Sequence, residues 1–226
     1  MPAVAGVDGT RGGWIMAIWD GAGIGLHFAT TWAALPLAGL AAVGVDMPIG
    51  LSAGPPRACD TAARARLPAR RKPSVFPAPR RYMLGRSHAE ANAEGKRRDG
   101  RGLSVQSWHI MGKIAELDAA LTPCDQNRIH EVHPELVFDR LGGGAILPPK
   151  RRQAGRAARL ALLAEAGVPD PAALLHARER GGAKADDILD AIACALTAAR
   201  IRKGQARRLP DAPECDSRGL HMEIWF

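Results

Sequence analysis

The chain has 226 residues, 46% of them apolar, which is enough to bury a core without disulfides or a structural metal. Its 31 lysines and arginines outnumber 23 acids, and the resulting charge of +8 fits either a polyanionic partner or a solvated basic face. The four cysteines are far apart with no CxxC pair, which argues against a zinc site or a disulfide framework, and no apolar run reaches the ~18 residues that a membrane span needs. With no basic leader before the first apolar segment, the expected location is the reducing cytoplasm, with no membrane partner.

Residues 3–7 read as a buried strand ending in Asp8, followed by a glycine-rich turn over 9–13. Residues 14–19 and 24–30 read as two more strands, joined by the hairpin signal Gly21-Ala22-Gly23, so three antiparallel strands open the fold. Residues 31–40 suit a short helix with Thr31 near its N-cap, and 42–45 form a compact apolar strand ending in Asp46. From 55 to 101 the chain carries basic runs, six prolines and few periodic apolar positions, which predicts an insertion rather than core.

Helical periodicity returns over 105–121, with Trp108, Met111, Ile114 and Leu117 or Asp118 near one face. A fifth strand is expected over 128–132 and a short helix over 134–141, ended by Gly142-Gly143-Gly144. Further helices are expected over 151–166, 171–178 and 184–203, and the apolar 222–226 suits a docked edge strand. The fold class is therefore α/β: a mixed five-stranded sheet, three strands antiparallel and then two parallel, flanked by helices. It forms one domain over 1–226 with a basic, proline-rich insertion at 55–101.

Chemistry is carried by acids at the ends of these elements. Asp8 and Asp46 each follow a buried strand and precede a glycine-bearing turn, where a carboxylate can point out from the sheet edge. Taken singly, an Asp before Gly is also an ordinary turn former. In Asp186-Asp187-Ile188-Leu189-Asp190, residues 187 and 190 share a helix face. Asp186 and Asp187 are equally explained as caps of the first turn, whereas Asp190 lies further in, on a small-residue stripe with Ala191 and Cys194, where a charge needs a partner or a metal. Glu131-Val132-His133-Pro134-Glu135 adds Glu131 as a further candidate ligand and His133 as a candidate proton carrier or phosphate contact, against the plainer reading that Glu135 caps its helix. Mg²⁺ or Mn²⁺ suits such carboxylates, and two ions ~4 Å apart stabilise both attacking and leaving oxygens in phosphodiester cleavage.

Four segments, Gly6-Val7-Asp8-Gly9 with Arg11-Gly12-Gly13-Trp14, Val45-Asp46-Met47-Pro48-Ile49-Gly50-Leu51, Glu131-Val132-His133-Pro134-Glu135 and Asp186-Asp187-Ile188-Leu189-Asp190-Ala191, give the chain a family likeness. Over nearly its whole length it resembles the uncharacterised family of predicted nucleases with a ribonuclease H-like fold (DUF429-type), itself similar to Holliday-junction resolvases. The resemblance extends to Arg57, Cys59 and Asp60, to Ser74-Val75-Phe76-Pro77 with Arg80, and to Gln106 with Trp108, which look like a substrate-side wall. It implies that Asp8, Asp46, Asp187 and Asp190 are metal ligands. One departure is that the resolvases usually carry Glu on the fourth strand, where this chain has the shorter Asp46.

The expected function is that of a divalent-metal-dependent nuclease, hydrolysing phosphodiester bonds of DNA or RNA by two-metal-type attack of a bound water. Asp8, Asp46, Asp187 and Asp190 hold Mg²⁺ or Mn²⁺, and Glu131 and His133 complete the catalytic set. Arg11, Arg57, Arg80, Gln106, Trp108 and Lys150, with Lys72 and Lys96, contact the polyanion. Two other readings stand beside it: a non-catalytic nucleic-acid-binding or scaffold protein on the same fold, and an ATP-using phosphotransferase of the actin and sugar-kinase kind, suggested by Asp8-Gly9-Thr10. The superfamily includes dimers, so a homodimer is a further expectation.

Overall fold

The computed structural model describes residues 2–177 and 182–226. Its main sheet has five strands in the order β3-β2-β1-β4-β5: β1 Val4–Thr10, β2 Gly13–Trp19, β3 Ile24–Ala29, β4 Ala42–Val45 and β5 Ile129–Glu131. β1 runs antiparallel to β2, and β2 to β3, while β4 pairs in parallel with β1 on one side and with β5 on the other. This is the arrangement expected from the sequence. β4 is buried at all four positions, as a strand covered on both faces should be, whereas β3 is only partly buried.

The chain divides into two compact units. The first comprises Met1–Asp46, Arg128–Arg207 and Trp225–Phe226. It contains the five-stranded sheet and the helices α5 Pro134–Leu141, α6 Gln153–Glu165 and α7 Ala185–Arg202. α7 is buried at every position from 188 to 199, because alanines and small residues let it lie flat on the sheet. Trp225 forms a parallel bridge with Val132, so the apolar C-terminus docks beyond β5.

The second unit comprises Met47–Asn127 and Arg208–Ile224. It carries α1 Ala58–Arg66, α2 His88–Asp99, α3 Val105–His109 and α4 Met111–Ala120. Met83, Ala91, Leu103 and Met111 form one of its apolar clusters. The stretch 55–101 thus holds two α-helices, α1 and α2, with the 3-10 turns Lys72–Ser74 and Arg81–Met83 between them. α2 is delimited by a capping box between Ser87 and Glu90 and by Gly100 in the left-handed conformation.

Other elements differ from expectation in length. The helix expected over 31–40 shrinks to a single 3-10 turn, Trp32–Ala34, since Pro36 holds Leu35 in the extended region. The helix expected over 105–121 is divided at Ile110 into α3 and α4. Of the helix expected over 171–178, a 3-10 segment Ala173–Ala177 forms, and Arg178 lies outside the described residues. No helix among the described residues is long and apolar enough to cross a membrane.

Candidate metal centre

Three carboxylates from separate stretches of sequence meet in the first unit. β1 and β4 pair with Val7 opposite Val45, and the Asp46 N–H donates to the Val7 carbonyl at 2.9 Å. Asp8 and Asp46, each one residue further on, therefore stand side by side at the carboxyl ends of adjacent parallel strands. Side chains alternate along a strand, so these two share the face of Gly6 and Gly44.

That face is where α7 crosses. A β-carbon on Gly6 would lie 1.9 Å from the Ala191 carbonyl oxygen, and one on Gly44 would lie 2.6 Å from that of Cys194. Only glycine permits so close an approach. The close approach brings Asp190 to the strand ends, and one ligand atom from each of Asp8, Asp46 and Asp190 lies within 4.8 Å of the others. Oxygens that share one octahedral Mg²⁺ are at most ~4.2 Å apart, so small side-chain movements would close the set around a single ion.

Lys150 enters the same cluster. Its ammonium donates to Asp190 Oδ2, and its side chain is one-third exposed whereas that of Asp190 is buried. The other oxygen, Asp190 Oδ1, is buried and has no hydrogen-bond partner among the described residues. A buried carboxylate oxygen left in that state is costly, and a cation is the group that would satisfy it. The donor set is all oxygen, which fits a hard divalent ion such as Mg²⁺ or Mn²⁺.

The loop before α6 is built to present Lys150. Arg159, fully buried, donates to the Pro148 carbonyl at 3.0 Å and to both oxygens of Glu135 at 3.0 and 3.2 Å. The Pro149 carbonyl accepts from the Arg152 N–H, and Gly155 packs so tightly that a β-carbon there would sit 2.0 Å from that same carbonyl oxygen. Arg159 thus fixes the backbone two residues before Lys150 and neutralises Glu135.

The electrostatics follow from burying several acids together. Burial, then Asp46 and Asp190, push the Asp8 carboxyl well above its usual range, with Lys150 opposing. Asp46 is pushed up to about 8 by burial and by Asp190, again against Lys150. Asp190 is raised by burial although Lys150 pulls it down. Burial works against the charge of Lys150, but the Asp190, Asp46 and Asp8 carboxylates outweigh it and hold the ammonium above the ordinary lysine range. Without further cations, the cluster therefore favours retaining protons on its acids.

The other residues singled out in the sequence are placed as follows. Asp187 is half-buried, and its Oδ2 accepts the Lys184 N–H at 2.8 Å at the start of α7, the capping arrangement expected of a first-turn acid. Glu131 pairs in register with Val45, so strand alternation sends it to the face opposite Asp8 and Asp46. His133 is half-buried at the N-cap of α5, and Glu135 is the acid ion-paired with Arg159. Arg11 is exposed in the turn after β1.

In the second unit, Arg57 and Arg80 are buried rather than presented to solvent. Arg57 pairs with Asp60 and donates to the carbonyls of Ile49 and Gly50; Arg80 pairs with Asp99 at 3.3 Å and donates to the Gly54 carbonyl. Gln106 is exposed, and the Trp108 indole N–H donates to the Arg86 carbonyl. The Arg159–Glu135 pair was not legible in the sequence, since the partners lie 24 residues apart with no shared motif.

Neither among curated proteins nor among solved structures does anything match this chain. The family described as "Protein of unknown function (DUF429)" matches residues 6–215, a span that includes Asp8, Asp46, Lys150 and Asp190, and the chain belongs to that family.

Proposed function

We propose that the protein is a divalent-metal-dependent phosphodiester hydrolase acting on nucleic acid, with Asp8, Asp46 and Asp190 holding Mg²⁺ or Mn²⁺. The observation that carries this reading is the buried Asp190 Oδ1, which has no hydrogen-bond partner among the described residues and lies in a cluster whose ligand atoms are within 4.8 Å of one another. When bound, the ion supplies positive charge for a phosphoryl oxygen and lowers the pKa of water. Asp8 and Asp46, fixed on adjacent rigid strands, orient the site, and α7 supplies Asp190 from above the sheet. In the reaction, water oxygen bonds to phosphorus, the bond from phosphorus to the leaving oxygen breaks, and the water proton is lost while the leaving oxygen gains one. His133, at the N-cap of α5, is the candidate carrier of that proton.

A polyanionic substrate is supported by a cavity of about 720 Å³ whose lining includes the basic Arg151, Arg156 and Lys184 against one acid, Asp186. Arg151 follows Lys150 in sequence, and the Lys184 backbone N–H donates to Asp187, one turn before Asp190; both support a polyanion reaching the carboxylates from this cavity. The test is cleavage of labelled DNA and RNA in Mn²⁺ or Mg²⁺. Wild type should cleave and Asp8→Asn should lose more than ~100-fold of that activity while keeping its fold. Unchanged turnover in Asp8→Asn would remove the carboxylates from the mechanism, and metal-independent binding without cleavage would favour the non-catalytic reading.

A further inference from the structure

We infer that Lys150 is the resident second cation of the carboxylate site, so that the centre takes one divalent ion where the sequence suggests two. The inference rests on the metal reading above and deepens it.

Three observations carry it. First, the Lys150 ammonium is bonded to Asp190 Oδ2 while Asp190 Oδ1 is buried with no partner among the described residues. The carboxylate therefore has one oxygen for the ammonium and one for an ion, which is how a carboxylate bridges two cations in a paired-metal site. Second, charge balances for one ion. Asp8, Asp46 and Asp190, when ionised, carry three negative charges, and Lys150 leaves two, the charge of a single divalent cation. Asp187 stands outside this count because it is only half-buried and solvent screens its charge, and Glu135 is ion-paired with Arg159.

Third, the position of Lys150 is enforced. Pro148 is held by the Arg159 guanidinium, Pro149 by the Arg152 N–H, and α6 closes on both through Gly155, where no β-carbon fits. Three independent contacts on the two residues before Lys150 fix where its side chain begins. A surface lysine that merely drifts onto an acid has no such support. In chemical terms, a fixed ammonium stabilises charge on an oxygen of the reacting phosphate as a second ion would, and it does so without having to be captured from solution.

The experiment counts bound Mn²⁺ per chain, by calorimetry and by electron paramagnetic resonance of free Mn²⁺, in wild type, Lys150→Ala and Lys150→Arg. The expected result is one ion in wild type, one in Lys150→Arg and two in Lys150→Ala. Lys150 is one-third exposed, so the alanine variant should fold, which circular dichroism checks. Two ions in wild type would overturn the inference while leaving the metal centre intact. One ion in both wild type and Lys150→Ala would also overturn it, since Lys150 would then hold no cation position. No ion in wild type but one in Lys150→Ala would make Lys150 a competitor for the sole position, again contrary to the inference. No ion in any variant would overturn the metal centre itself.

Discussion

Gly6 and Ala191 are in backbone contact: a β-carbon added to Gly6 would come within 1.9 Å of the Ala191 carbonyl oxygen and 2.1 Å of the Ala195 nitrogen. Neither atom can yield, because both belong to the backbone of a helix buried on all sides. This contact sets the depth at which α7 crosses β1 and hence the position of Asp190 over Asp8. Gly6→Ala should therefore cost at least ~3 kcal/mol, the upper range for overpacking a core. A thermal melt checks it, and a melting temperature equal to that of wild type would mean that α7 has room to lift without consequence.

The raised carboxyls give a pH dependence of defined sign. The Asp46 carboxyl titrates at about 8 in the folded protein and about 4 when unfolded, so between these values the native state binds the extra proton. Stability contributed by this group is full below about pH 4 and is lost as pH rises toward about 8. Asp8 and Asp190, also raised, add slopes of the same sign. In chelator, the melting temperature of wild type should fall across this window, and Asp46→Asn should flatten the fall. Mn²⁺ should reverse the trend, because ligands must lose protons to bind it and its stabilisation grows with pH. A metal-free melting temperature that rises through the window would contradict these assignments.

Arg159 and Glu135 form a pair that only works intact. Arg159 is fully buried, so Arg159→Met leaves Glu135 charged and buried, at a cost of ~3–5 kcal/mol. Adding Glu135→Gln should recover part of that loss, and the coupling can be read from denaturant unfolding of the two single variants and the double. Independent, additive losses would show that the two residues do not rely on each other.

The cavity lined by Arg151, Arg156 and Lys184 predicts how binding responds to salt. If each contacts one phosphate, Arg156→Ala should weaken nucleic-acid binding about equally across sequences and lower the slope of log affinity against log salt by ~1. Fluorescence anisotropy at several salt concentrations measures both. An unchanged slope would place the polyanion elsewhere.

Much of the site was legible because its parts are local. Asp8 and Asp46 announce themselves as acids at the ends of apolar strands, and the small residues around Asp190 foretell a helix lying close to the sheet. The short Asp46 reaches the cluster, because Gly6 and Gly44 bring α7 down to it. Lys150 could be noticed but not placed. Its loop has no periodicity, and its direction depends on Arg159, which reads in sequence as one more charge on an amphipathic helix. Arg57 and Arg80 show the same limit from the other side: a basic run looks like a polyanion surface until the buried partners Asp60 and Asp99 are seen. The order of residues 55–101 had a local signal in the capping box Ser87-x-x-Glu90, obscured by the prolines and charges around it.

The central claim, that Asp8, Asp46 and Asp190 form a divalent-metal site, is tested most directly by titrating Mn²⁺ into the wild type and into Asp190→Asn by calorimetry at neutral pH. Binding in the wild type that weakens at least ~10-fold in Asp190→Asn is the predicted result. Equal binding by the two proteins, or none by the wild type, would contradict it.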